Sequence, residues 1–166
     1  MKVVLACTFA AAISFQSMAV NAADTLPYKK AQELGVKKCL AKVREMSNFV
    51  LKEAGHGSDT TWNNKETDSR LLSFFVSRGY SDGDSQVSMQ FAPNGTGCDA
   101  VYTETMLWET QCALVREEIF KSWKYRGNLN EKTLILQNDN GTVDIYLTPG
   151  GKASNLCLVT KREVVY

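Results

Sequence analysis

The chain has one histidine, His56, in 166 residues, and no C-x-x-C pair. Zinc sites draw on clustered Cys and His at short spacings, so neither a metal centre nor any other cofactor is expected. A basic excess is also missing, since the formal net charge is only +1. Nucleic-acid binders carry a surplus of Lys and Arg, so that class of partner is not expected. No basic amphipathic helix stands out, which argues against a membrane-surface protein. Behind the N-terminal segment no apolar run is long enough to cross a bilayer, so membrane insertion of the processed chain is not expected. No repeat, linker or low-complexity stretch is present.

The N-terminal segment has the layout of an export signal. Lys2 is the only charge in the first 23 residues. Val3–Phe15 is apolar, Gln16 and Ser17 are polar, and Val20-Asn21-Ala22 places small side chains where a signal peptidase needs them. The run is too short to span a bilayer comfortably. Residues 1–22 are read as the signal peptide, with cleavage after Ala23 as the alternative, and 23–166 as a single α+β domain. Val4-Leu5-Ala6-Cys7 has the outline of a lipoprotein box, but too little apolar sequence precedes the cysteine. Losing Lys2 leaves eighteen basic and eighteen acidic residues, a neutral product. The one-lysine, alanine-rich leader points to a bacterial periplasm, so the expected location is periplasmic or secreted. The sequons at Asn94 and Asn140 would matter only in a eukaryotic secretory route.

Periodicity gives the elements. Val36, Cys39 or Leu40, Val43, Met46 and Val50 recur at helical spacing behind a Thr25 cap, predicting a helix over Tyr28–Ala54 that stops at Gly55. His56–Ser69 reads as a polar loop. Leu71–Tyr80, Gln86–Phe91 and Cys98–Thr105 read as strands. Cys112, Val115, Ile119 and Trp123 predict a second helix over Glu109–Tyr125, ended by Gly127. Thr133–Gln137 and Thr142–Leu147 flank Asn138-Asp139-Asn140-Gly141, a hairpin signal, and Leu156–Val165 is a last strand. The expected fold is α+β: two helices on one face of an antiparallel sheet of about five to six strands, braced by disulfides.

Cys39, Cys98, Cys112 and Cys157 remain after export, and an even number in an oxidising compartment implies two disulfides. Cys98 and Cys112 bracket a strand that extends about 20 Å, of which the short helical return recovers roughly 6 Å. Bridged Cα atoms lie within about 7 Å, so that pair is the least favoured of the three. Cys39 and Cys112 both sit on apolar helix stripes, while Cys98 and Cys157 both open strands after glycine turns. Cys39–Cys112 with Cys98–Cys157 is therefore favoured. Cys39–Cys98 with Cys112–Cys157 stays open.

Candidate chemistry is sparse. Gly55-His56-Gly57-Ser58-Asp59 places Ser, His and Asp close in sequence, but a triad converges from separate rigid elements. Asp82-Gly83-Asp84 and Asn138–Gly141 fail the calcium-loop pattern, because Leu136 stands where the first ligand belongs and no closing Glu follows. Both read as hairpin turns. Phe120-Lys121-Ser122-Trp123-Lys124-Tyr125-Arg126 interleaves aromatics with bases and suits an acidic partner. Lys121, Lys124, Tyr125 and Arg126, with Trp62 and Trp108, are the candidate binding residues. No residue is assigned a catalytic role.

The layout Trp108…Gln111-Cys112…Val115…Phe120, then Gly127…Leu129, Pro149-Gly150-Gly151…Cys157 and the tail Lys161-Arg162-Glu163-Val164-Val165-Tyr166 resembles small exported proteins of proteobacteria without assigned activity. The resemblance covers the C-terminal part, and its motifs are structural, so it implies no substrate. The leading functional expectation is an exported, non-enzymatic binding protein whose partner is another protein of the cell envelope, in an inhibitor or immunity role. The alternatives are a hydrolase of envelope polymer and a small-molecule or lipid carrier with its pocket between helix and sheet.

Overall fold

The computed structural model describes residues 24–51, 54–81, 83–95 and 97–166. The export leader and its expected cleavage positions lie outside the described residues. The chain runs α1 (Leu26–Glu33), α2 (Leu40–Leu51), β1 (His56–Thr61), β2 (Leu72–Tyr80), β3 (Gly83–Asn94), β4 (Gly97–Trp108), α3 (Cys112–Glu118), β5 (Lys124–Asn128), β6 (Leu134–Gln137), β7 (Val143–Gly150) and β8 (Leu156–Val165). The strands form one antiparallel sheet of eight in the order β1-β2-β3-β4-β8-β7-β6-β5. The expectation of two helices and five to six strands is thus overturned: among the described residues there are three α-helices and eight strands.

Three local effects account for the difference. The first helix is cut at Gly35, which adopts φ +73°. The amides of Gly35 and Val36 turn back to the carbonyls of Gln32 and Ala31, a Schellman closure that only an αL residue allows without strain. The stretch expected as a loop contains β1, an edge strand whose side chains alternate half-buried and exposed without one apolar residue. Polar edge strands resist unwanted pairing, but they carry no apolar periodicity to reveal them. The second helix ends at Glu118, because Lys124–Asn128 leaves it to pair with β6, with a bulge between Tyr125 and Gly127.

All three helices lie on one face of the sheet. On β2, Leu72, Phe74 and Val76 point inward; on β3, Val87, Met89 and Phe91 do; on β4, Cys98, Ala100 and Tyr102 do. Against these pack Ala31, Val36, Val43, Met46, Val50 and Leu51 from α1, α2 and the turn between them. Cys112 and Val115 of α3 make a second, smaller core with Leu136, Ile145, Leu147, Cys157 and Val159. The opposite face is richer in Ser and Thr, and the Thr105 and Thr160 hydroxyls meet there at 3.3 Å across β4 and β8. One covered and one wet face is the usual condition of an antiparallel sheet.

The disulfides are Cys39–Cys98 and Cys112–Cys157, with Cα atoms 5.2 and 4.9 Å apart. The favoured pairing of Cys39 with Cys112 and Cys98 with Cys157 is therefore corrected to the one left open. The reason is the split core. Cys39 and Cys112 sit on apolar stripes, as expected, but on helices that cover different halves of the sheet. Each bridge ties the start of a helix to a strand of its own half. Cys98 lies at one end of the central β4–β8 pair, while Cys157 faces Trp108 at the other. Ten residues of strand, about 33 Å, separate the two ends.

Asp68 closes the loop between β1 and β2. Its Oδ1 accepts the amide hydrogens of Lys37 and Lys38 at 2.7 and 2.8 Å, which holds its carboxyl below the usual value. A depressed acid contributes stability above its unfolded value, near pH 4, and loses it as pH falls through the folded value. Asp68→Ala should therefore destabilise the protein by about 1–2 kcal/mol at pH 7. Denaturant titration at pH 7 and again at pH 2.5 checks this, with the difference shrinking at the lower pH.

Candidate functional site

Three inward stripes break their apolar pattern in the middle of the sheet. On β2, Leu72-Phe74-Val76 continues to Arg78; on β4, Ala100-Tyr102 continues to Glu104; on β8, Cys157-Val159 continues to Lys161. Register brings the last two side by side, because Glu104 pairs with Lys161. This level of the sheet lies between the two helix layers. Phe49 and Val50 near the end of α2 line one side, and Ile119, Phe120 and Trp123 after α3 line the other. The result is an open trough of about 410 Å³, floored also by Met106, Ile145 and Val159 and flanked by Tyr80, Tyr102 and Trp108. That volume falls within the range of about 300–1,000 Å³ typical of small-molecule sites.

Glu104 is the hub of its polar floor. One carboxylate oxygen accepts hydrogen bonds from Arg78 Nη1 at 3.2 Å, Tyr80 Oη at 3.0 Å and Ser85 Oγ at 2.9 Å. The ion pair is well shielded, with side-chain exposures of 11% for Arg78 and 8% for Glu104. The Arg78 guanidinium also stacks 4.4 Å from the Tyr80 ring centre. Burial, and then the adjacent Glu104 charge, push the Tyr80 phenol up. Tyr102 is fully buried as a residue, and Arg78 Nε is buried without a hydrogen-bond partner. Burial first, then the charge of Glu163 and its carboxylate's hydrogen bond with the hydroxyl, and last the charge of Glu104, hold the Tyr102 phenol far above its ordinary value, so it remains a donor. Lys161 Nζ lies 5.4 Å from the ring centres of both Phe49 and Tyr102, a cation–π position.

Of the candidate binding residues from the sequence, only Trp108 lines this trough. Trp62 lies apart, with Lys30 Nζ 5.8 Å from its ring centre, in a shallow hollow between α1 and β1. Lys121 is in the turn after α3, while Lys124, Tyr125 and Arg126 lie on edge strand β5 rather than at a helix end. Lys124 meets Asp139 at 3.4 Å and Arg126 meets Asp144 at 3.7 Å, so their charges are answered within the protein. The Tyr125 hydroxyl donates to Asn128. His56 is a connector: its Nε2 accepts the Leu26 amide hydrogen at 3.2 Å while Nδ1–H donates to the Ala54 carbonyl at 2.8 Å. That pattern fixes one neutral tautomer and leaves no ring nitrogen for catalysis. Arg78, Glu104, Tyr102 and Lys161 were missed by sequence reasoning. The available signal was a charge at an inward position of each strand.

No protein-family model matches the chain, and no curated protein and no solved structure does either.

Proposed function

We propose that this is an exported, non-enzymatic binding protein that holds a small, apolar-bodied molecule in the trough between its helix layers. The observation that carries this reading is the combination of an aromatic wall with a hydrogen-bonded charged floor, at the one level of the sheet where the two helix layers part. Such convergence of few polar groups within an apolar surround is what ligand sites share. Three exposed apolar side chains, Phe49, Tyr80 and Ile119, gather along the same trough. The leader pattern, together with two disulfides, supports a periplasmic or secreted location, because such bridges persist in oxidising compartments.

The other readings have less support. A polymer hydrolase uses two carboxylates facing one cleft, whereas Glu104 is the carboxylate lining this one and is anchored by three donors. A protein partner recruited by charge would need free bases on β5, and these are paired.

Titration with the neutral fluorophore N-phenyl-1-naphthylamine tests the proposal. One molecule per chain should bind saturably. Phe49→Ala combined with Trp108→Ala should weaken binding about ten-fold or more, once circular dichroism shows the variant folded. Trp62→Ala should bind like the parent. Absence of saturable binding, or loss in Trp62→Ala alone, contradicts the proposal. So does a stoichiometric envelope protein captured equally well by the Phe49/Trp108 variant.

A further inference from the structure

Resting on the trough as the binding site, we infer that its ligand is a monomeric organic anion: an apolar body carrying a carboxylate or phosphate head, seated with the head at Lys161. The floor holds a buried donor that nothing among the described residues accepts from. Arg78 Nε–H is buried without a partner, and Arg78 lines the trough. A buried donor without an acceptor is costly, and an arriving oxyanion supplies one. The charge balance points the same way. Arg78 and Glu104 neutralise each other at 3.2 Å. Among the described residues, Lys161 has no carboxylate within ion-pair distance, although Glu104 stands opposite it on β4. Glu163 is next on the inward register of β8. It lines a separate hollow of about 230 Å³ with Lys42, Glu45, Met46 and Val165, beyond Phe49 and Tyr102. The trough thus keeps one uncompensated side-chain cation, set against aromatic rings.

The wall suits the body of such a molecule. Phe120 and Trp123 pack edge to face at 5.4 Å and present a rigid apolar surface near the second core. Phe49 stands edge-on to Tyr102 at 6.2 Å, exposed, between the trough and the neighbouring hollow.

The test is a head-group series on one chain length, below the micelle concentration: decanoate, decyl phosphate, decanol and decyltrimethylammonium, each read by displacement of N-phenyl-1-naphthylamine. The two anions should bind at least ten-fold more tightly than decanol, and the cation weakest. Lys161→Gln should weaken decanoate about ten-fold, leave decanol within two-fold, and flatten the salt dependence. The exposed Lys152→Gln serves as control and should change nothing. Tighter binding of the cation would mean that Glu104 and the negative ends of α2 and α3 set the field, and overturns the inference. Equal binding of all four also overturns it, while leaving the trough as a binding site. Binding only to phosphatidylglycerol vesicles, with no monomer bound, replaces the monomeric anion with a membrane. If neither the fluorophore nor any probe binds, the trough reading itself fails. Because the wild-type series needs no variant, a misfolded Lys161→Gln would not obscure the result.

Discussion

Glu104→Leu should destabilise the protein by about 3–5 kcal/mol, enough to lower the melting temperature by roughly 10–20 °C. The cause is not the energy of the ion pair as such. Removing the carboxylate strands a shielded guanidinium and takes the acceptor from Tyr80 and Ser85 at once. A buried charge without its partner costs far more than the intact pair contributes. Arg78→Met combined with Glu104→Leu should therefore recover most of the loss, because the double variant replaces a desolvated pair with apolar contact beside Phe49 and Val50. The same double variant should bind decanoate more weakly while remaining folded, because the Arg78 Nε–H donor is gone. Stability and function part company there, as expected where a polar network is kept for recognition. Calorimetry on the four proteins of the cycle, paired with the fluorophore titration, checks both halves. A double variant less stable than either single one would show the network to be a structural requirement instead.

Removing the Cys112–Cys157 bridge as a double Ser variant should cost about 4 kcal/mol by loop-closure entropy, within the usual span of about 2–5 kcal/mol. The bridges close loops of 45 and 59 residues, so entropy alone makes them nearly equivalent. Packing does not. The core under α3 is the smaller of the two, and α3 is only seven residues long. Without its bridge this helix has little else to hold it over β7 and β8. Loss of Cys112–Cys157 should therefore release α3 and the Phe120–Trp123 wall, and binding with them, while α1, α2 and strands β1–β4 persist. Loss of Cys39–Cys98 should be felt more evenly, because that half has the larger core. Hydrogen exchange of the two variants distinguishes the outcomes. Uniform loss of protection in both would contradict the split core.

The legible and illegible parts of this fold differ in their physical signals. Strands β2, β3, β4, β7 and β8 bury one face, and their alternation is plain in the sequence. The Asn138–Gly141 hairpin is equally plain, since Asn138 Oδ1 accepts the amides of Thr142 and Val143 and Gly141 takes φ +73°. Strand β1 was hidden because an edge strand of Gly, Ser, Asp and Thr buries almost nothing apolar. The break at Gly35 was visible as a weakness, but local spacing continued across it, so one helix was read where two exist. Strand β5 was hidden by Cys112, Val115, Ile119 and Trp123, whose three-to-four spacing outlasts the helix itself. The disulfides were evident as two bridges, yet the pairing depended on which half of the sheet each helix covers. No local pattern encodes that.

The site was less legible than the fold. Trp108 was singled out as an aromatic before a helix, and it lines the trough. Arg78, Glu104 and Lys161 each looked like one charge among many on a strand. Their meaning appears only when β2, β4 and β8 are placed in register, because Glu104 then stands beside Lys161 and Arg78 lies one inward position further along β2. The basic and aromatic segment after α3 was conspicuous in sequence for the opposite reason: its residues are adjacent in the chain. Asp139 and Asp144, which answer its charges, come from a different hairpin.

The three tryptophans report directly on where a ligand sits. Each gives one indole N–H resonance: Trp108 and Trp123 line the trough, and Trp62 lies in a separate hollow beside α1. Titration of the ¹⁵N-labelled protein with decanoate should shift the Trp108 and Trp123 indole signals together, saturating with one affinity, while Trp62 stays fixed. Movement of Trp62 alone, or of none of the three, would contradict the assignment of the trough.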